Sequence, residues 1–226
     1  MNMISSWDET RKRTRYHFDN KKIDPQYDTV INLGQFVPCW QQELDKIIKK
    51  SRSATWRTRG QAGNSRPESE LAAEEYDLER AGYDKNYKIT NLNWTIPPVL
   101  QRISDLFALD DAMVRIHVQM PGQVWNLHLD KLEKWAPDDP DSVLRVQIQL
   151  TDWAPGQFWS YGNYQHSMWS AGDVTTFNWQ HVPHSTANAS LEPRVTLQVT
   201  GVQTDRTRDF LRVLRSRSPY QLSGTV

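Results

Sequence analysis

The chain has 226 residues, enough for one domain with a sizeable core, and at ~150 residues per domain it is too short for two large ones. Lys+Arg and Asp+Glu both number 27, which excludes bulk electrostatic attraction to nucleic acid or anionic membrane and leaves only local basic patches. No apolar run reaches the ~20 residues that span a bilayer, Met1 to Lys22 lacks the apolar stretch of a secretory signal, and the single Cys39 removes internal disulfides and cysteine-clustered metal sites, so the expected compartment is the cytoplasm.

In chain order, Leu44, Ile47 and Ile48 form an i, i+3, i+4 stripe that predicts a helix from about Trp40 to Lys50. The segment Ser51 to Pro67 carries Arg52, Arg57, Arg59 and Arg66 with no acid and reads as a mobile basic loop, either solvated or a lid that touches substrate. A second helix is expected over Glu68 to Arg80. A third follows Thr95, with Pro97 and Pro98 in its first turn and Val99, Ile103, Leu106 and Phe107 as its apolar stripe.

From Asp111 the period changes to two. Val114, Ile116, Val118 and Met120 alternate with Arg115, His117 and Gln119. Leu144, Val146, Ile148 and Leu150 alternate with Arg145, Gln147 and Gln149, and Val195, Leu197 and Val199 alternate with Arg194, Thr196 and Gln198. Further strands are expected over Gln123 to Leu129, Phe158 to Tyr161 and Val174 to Trp179, separated by Pro/Gly/Asn/Asp turns. The pattern predicts a mainly β chain with flanking helices, an antiparallel barrel or jelly roll with the early helices outside one sheet. Residues 1–226 then form one domain: a helix- and loop-rich part over 1–110, a β core over 111–203, and a basic helix and tail over 204–226. The polar side of the strands either faces water or lines a cleft.

His128 and Asp130 stand two apart at a strand end, so both project from one face within reach of one ion. Any exposed polar strand face can produce such a pair, so a third ligand is needed. The segment His181-Val-Pro-His184 can supply one, and His166 also competes. Two histidines and one carboxylate hold Fe(II) on one face and leave positions open for a 2-oxo acid and dioxygen. If that acid is 2-oxoglutarate, its distal carboxylate needs a buried cation. Arg194 has the matching planar fork, and Thr196, two residues along the strand, can donate a hydroxyl hydrogen bond to the same group.

The stretches Arg115 to Asp130, Leu144 to Leu150, Gly172 to Phe177, His184 to Asn188 and Arg194 to Thr196 together resemble the Fe(II)- and 2-oxoglutarate-dependent dioxygenases, in particular the aspartyl/asparaginyl β-hydroxylase and proline hydroxylase group. The resemblance covers about Ala112 to Gly201. It implies a double-stranded β-helix (cupin-like) fold, with His128, Asp130 and His184 on Fe(II), and Arg194 with Thr196 on the distal carboxylate of 2-oxoglutarate. His184 is chosen over His181 and His166 because it has the family spacing to Arg194. Arg145 stands where the group often has a second basic residue near the co-substrate. Gln147 replaces the histidine often found two residues on.

The implied activity is hydroxylation of an amino-acid side chain, free or in a peptide or protein, with 2-oxoglutarate and O2 consumed and succinate and CO2 released. Two other classes compete: a non-catalytic jelly-roll module that stacks sugars or nucleobases on its aromatic faces, and a zinc hydrolase using the same ligands. The second has no use for the Arg194 and Thr196 pair. No membrane partner is expected, and the basic loop and Arg-rich tail leave nucleic acid open. His117 is expected to be a hydrogen-bonded cleft or structural histidine. Trp125, Trp159, Tyr161, Tyr164, Trp169 and Trp179 are expected mostly in the core, with Trp179 the one expected just behind the metal ligands.

Overall fold

Strict alternation in three long strands, with apolar residues on one side and hydrogen-bonding residues on the other, dictates a two-faced sheet. In the computed structural model, which describes residues 30–52, 91–93, 95–162 and 164–222, these strands are β3 (Asp110–Gln119), β5 (Val143–Gln149) and β10 (Arg194–Val202). β10 lies between the other two, antiparallel to both. The sheet is completed by β1 (Val30–Gln35), β2 (Asn91–Asn93) and β8 (Asp173–Phe177), in the order β1-β8-β5-β10-β3-β2. A second antiparallel sheet runs β4-β9-β6-β7, from β4 (Val124–His128), β6 (Gln157–Tyr161), β7 (Tyr164–His166) and β9 (His184–Asn188). The fold is a mainly β jelly roll, a double-stranded β-helix.

Three helices flank the larger sheet: α1 (Gln41–Arg52), α2 (Pro98–Asp105) and α3 (Asp205–Ser216). Leu44, Ile47, Leu100, Ile103 and Leu214 from these helices share one buried cluster with Ile116, Val118, Val146, Ile148, Val195, Leu197 and Val199 from the sheet. Each of these aliphatic side chains contributes about 1.5–3 kcal/mol on leaving water, an upper figure because the unfolded chain is itself partly collapsed. Trp40 locks its end of the cluster by donating Nε1–H to the Leu150 carbonyl at 3.0 Å. A reciprocal capping box between Thr204 and Thr207 starts α3. Between the sheets, Leu132, Val143, Trp159, Tyr161, Trp169, Phe177, Trp179 and Val182 form a second buried cluster.

Gly172, at the entry to β8, ties the end of β1 to the end of β5. Its φ is +97° and a Cβ there would strike the Phe36 carbonyl. Its own amide donates to Gln149 O at 2.7 Å, and its carbonyl accepts from Phe36 N at 2.9 Å.

α1, α2 and α3 match the expected helices, with α2 opened by Pro98. The helix expected over Glu68 to Arg80 and the basic loop beyond Arg52 lie outside the described residues. Before Asp111 the described residues also hold two strands, β1 and β2, which join the larger sheet. β1 escapes detection because its register shifts between Asn32 and Gly34, and β2 because it has only three residues. β9 is also an addition. Its alternation, His184-Ser-Thr-Ala-Asn188, carries no large apolar residue. Among the described residues no helix is long and apolar enough to cross a membrane.

Candidate metal centre

The inner face of the larger sheet is polar yet dry. Arg115, His117, Gln119, Arg145, Gln147, Gln149, Arg194, Thr196, Gln198 and Thr200 are all buried. The alternation therefore marks a cleft and not a solvent face. Cross-strand register sets these side chains in rows: Gln147, Gln198 and Arg115 across β5, β10 and β3, with Gln149, Thr196 and His117 in the next row.

The smaller sheet supplies the opposing wall. β4 and β9 pair His128 directly opposite His184, with ring centroids 4.3 Å apart. The β4 register shifts between Trp125 and His128. This irregularity lets both residues be buried although they are three apart, an odd spacing that a regular strand would send to opposite faces. Asp130 follows the strand end, with Oδ1 4.0 Å from His128 Nε2 and Oδ2 3.7 Å from His184 Nε2. One donor atom from each of the three lies within 4.8 Å of the others, and all three residues are buried.

Neutral imidazole nitrogens and a carboxylate oxygen suit a divalent first-row ion at bonds of about 2 Å. His184 Nδ1 faces the Val182 carbonyl at 3.4 Å. A proton on Nδ1 would donate there and leave Nε2, which faces Asp130, available to a metal. Arg145 pairs with Asp130 through Nη1 and donates Nε–H to Thr200 Oγ1 at 2.9 Å, so the carboxylate is held from the larger sheet.

Aromatic rings enclose the cluster. Trp125 stacks between His117 and His128 at 5.4 and 5.2 Å, and Phe177 stands edge-on to His184 at 4.7 Å. The expectation for Trp179 is corrected: it is buried between the sheets, donates Nε1–H to Val143 O at 3.1 Å, and does not line the cleft. Trp125 and Trp159 line it instead. A Trp shortly before a ligand in sequence need not be near it when a turn intervenes.

The cleft encloses a cavity of only about 20 Å³ and is lined by Arg145, Gln147, Arg194, Thr186 and Gln198 with the three candidate ligands. Arg194 is 2% exposed, and its guanidinium sits over the Trp159 ring at 4.5 Å. Its Nε and Nη1 have no hydrogen-bond partner among the described residues. Burial pulls its pKa down to about 10, offset in part by Tyr161, so it is charged at neutral pH. Burial also pushes the Tyr161 phenol well above its ordinary value. A buried cation with unsatisfied donors calls for an anion.

The Thr196 hydroxyl donates to Gln149 Oε1 at 3.1 Å. Gln147 lines the cleft with its Oε1 buried and unpartnered. His117 is a cleft histidine, with Nε2 3.3 Å from Gln198 Oε1. His181 is exposed and His166 packs on Trp169, and neither joins the metal-ligating group. Sequence reading left Arg115 and Gln198 unassigned. Their signal was the long hydrogen-bonding side of the alternation.

No family model and no curated protein matches the chain. Solved structures similar to it include a prolyl-4-hydroxylase from Pseudomonas putida, with 16% identity over 78% of this chain and 93% of that one and a TM-score of 0.43. A cupin domain from Bordetella pertussis shares 13% identity over 52% of this chain and 97% of its own, at a TM-score of 0.34. A predicted oxalate decarboxylase from Thermotoga maritima shares 13% over 50% and 80%, at 0.33.

Proposed function

We propose that the chain is an Fe(II)- and 2-oxoglutarate-dependent oxygenase that hydroxylates an amino-acid side chain, free or within a peptide. The observation that supports this most is the convergence, in one buried cleft, of His128, Asp130 and His184 with the unsatisfied guanidinium of Arg194. When bound, the iron with its 2-oxo acid supplies oxidative decarboxylation by dioxygen, with release of succinate and CO2 and transfer of one oxygen atom to a C–H bond.

The chain's own residues then have separate tasks. His128 and His184 offer neutral nitrogens and Asp130 one negative charge. Arg145, paired to Asp130, limits rotation of that carboxylate. Arg194 would meet the distal carboxylate with its planar fork in a buried site, where a charged hydrogen bond is strongest. Trp125, Trp159 and Phe177 keep the reacting centre dry. Neither a stacking module nor a water-activating zinc site gives the buried Arg194 a task.

Anaerobic titration of the Fe(II)-loaded chain with 2-oxoglutarate, followed by the weak visible charge-transfer band, tests the reading. Substrate-dependent succinate release is then screened with free amino acids, peptides and oligonucleotides. The band should form in the wild type and in His181→Ala, and should vanish in His184→Ala. A wild type without the band, or a band that survives His184→Ala and is lost in His181→Ala, refutes it.

A further inference from the structure

One end of the polar face holds more hydrogen-bond donors than its own acceptors can serve. Around the start of β10, Arg194 Nε, Arg194 Nη1, Gln149 Nε2 and Trp159 Nε1 are buried without a partner among the described residues, against one acceptor in the same state, Gln119 Oε1. Arg194, Gln149, Trp159 and Gln119 are each at most 5% exposed, too little for bulk water to serve them. The corner therefore calls for an acceptor with several lone pairs, which is what a carboxylate brings.

Register brings these side chains together. Gln119 on β3 is directly opposite Arg194, and Gln149 on β5 is directly opposite Thr196, two residues from Arg194 on the same face of β10. Gln149 is thus the diagonal neighbour of Arg194, at a backbone distance of about 7–8 Å that long side chains bridge. Trp159 comes from the smaller sheet, with its ring centroid 4.5 Å from the guanidinium carbon of Arg194.

The two glutamines are committed in opposite senses. Gln119 donates Nε2 to the Thr186 carbonyl at 3.3 Å and to Thr186 Oγ1 at 3.0 Å. Its remaining oxygen, across the ladder from Arg194, suits one N–H of the five that an arginine carries. Gln149 accepts the Thr196 hydroxyl at Oε1, so its Nε2 is the atom left over. A hydroxyl whose single hydrogen is given to Gln149 has none for a ligand.

We propose that Gln149 is a second anchor, beside Arg194, for the distal carboxylate of the 2-oxo acid, and that Thr196 acts on that carboxylate through Gln149, as a positioning residue that aims its amide donor. This deepens the oxygenase reading and rests on it, because that reading supplies the carboxylate.

The test is the anaerobic charge-transfer titration of the Fe(II)-loaded wild type, Gln149→Met, Thr196→Val, Thr196→Ser and the Gln149→Met, Thr196→Val double variant, with Fe(II) affinity measured alongside. Gln149→Met should weaken 2-oxoglutarate binding about tenfold or more, as expected for a hydrogen bond to a charged group, and leave Fe(II) affinity within about twofold. Thr196→Val should weaken it about threefold or more, and Thr196→Ser should behave as the wild type. The double variant should bind no more weakly than Gln149→Met alone, the mark of two residues acting as one unit. A measurement on the wild type stands even if a variant does not fold: in the Zn(II)-loaded protein, the Gln149 side-chain NH2 resonances should shift as 2-oxoglutarate saturates the site. A Gln149→Met midpoint within about twofold of wild type, a parallel fall in Fe(II) affinity, losses that add fully in the double variant, or Gln149 NH2 signals that do not move would each overturn the proposal. A wild type without the charge-transfer band overturns the oxygenase reading as well, whereas a normal band with any of those outcomes counts against the role of Gln149 alone.

Discussion

On one side of β3, β5 and β10 lie Ile116, Val118, Val146, Ile148, Val195, Leu197 and Val199, all at 0% exposure; on the other lie Arg115, Arg145, Gln147, Arg194 and Gln198, none above 6%. The same three strands thus bury two faces to nearly the same depth, with opposite chemistry. The apolar face stabilises by transfer from water and dispersion, and every atom there is satisfied by contact alone. The polar face stabilises only where a partner exists, and Arg194 Nε, Arg194 Nη1 and Gln147 Oε1 have none among the described residues. Burial therefore does not tell a core from a site; unsatisfied polarity does.

The sharpest way to break this contrast is to leave a charge stranded on the polar face. Asp130→Ala should cost about 3–5 kcal/mol in urea unfolding, because it leaves Arg145 buried without its carboxylate. It should also abolish Fe(II) binding. Adding Arg145→Met should restore most of the stability and none of the metal binding. Equal stability of the single variant and the wild type would show that the pair does not matter to the fold.

On the apolar face, Leu197→Ala should cost about 3 kcal/mol by opening a cavity between α-helix and sheet. The same unfolding experiment measures it, and a loss below about 1 kcal/mol would mean that the helices collapse onto the gap. Arg194→Lys keeps the charge but loses the fork, so 2-oxoglutarate should bind more weakly by about 1.5–3 kcal/mol in the charge-transfer titration. Identical midpoints would remove Arg194 from the co-substrate site.

The smallest effect has the opposite sign. Burial lowers the Arg194 pKa to about 10, so the folded state disfavours the charged form. The penalty is complete below about pH 10 and is relieved as pH rises above it. Arg194→Met should therefore raise the stability of the chain without co-substrate by about 1 kcal/mol at neutral pH while destroying 2-oxoglutarate binding. A clear drop in melting temperature would show that the stack on Trp159 outweighs the desolvation.

The sequence made the three long strands, the flanking helices and the His128 and Asp130 pair legible, because each rests on a short-range rule: period two, a 3.6-residue stripe, and side chains two apart on one face; His184 was reached only through the family resemblance. β1, β2 and β9 were not legible, since a bulge, three residues of pairing and a run of small polar residues leave no periodic signal. The commitments of the polar face were hidden for a different reason. That Thr196 donates to Gln149, that Gln198 orients Arg115, and that Trp125 rather than Trp179 stacks on a ligand all depend on which strands become neighbours. Neighbour relations between residues about 80 positions apart are set by topology and not by local pattern.

The place of β10 in the larger sheet also governs the order in which the molecule can be assembled. β3 and β5 do not pair with each other; both await a strand that begins at Arg194. A ribosome that has released everything before that residue has produced two half-sheets, each with an open edge facing the other across a missing centre. Until the central strand emerges, neither Arg115 nor Gln147 has the neighbour that orders its row. Such late closure favours slow folding and a window in which bare strand edges can recruit chaperones or one another.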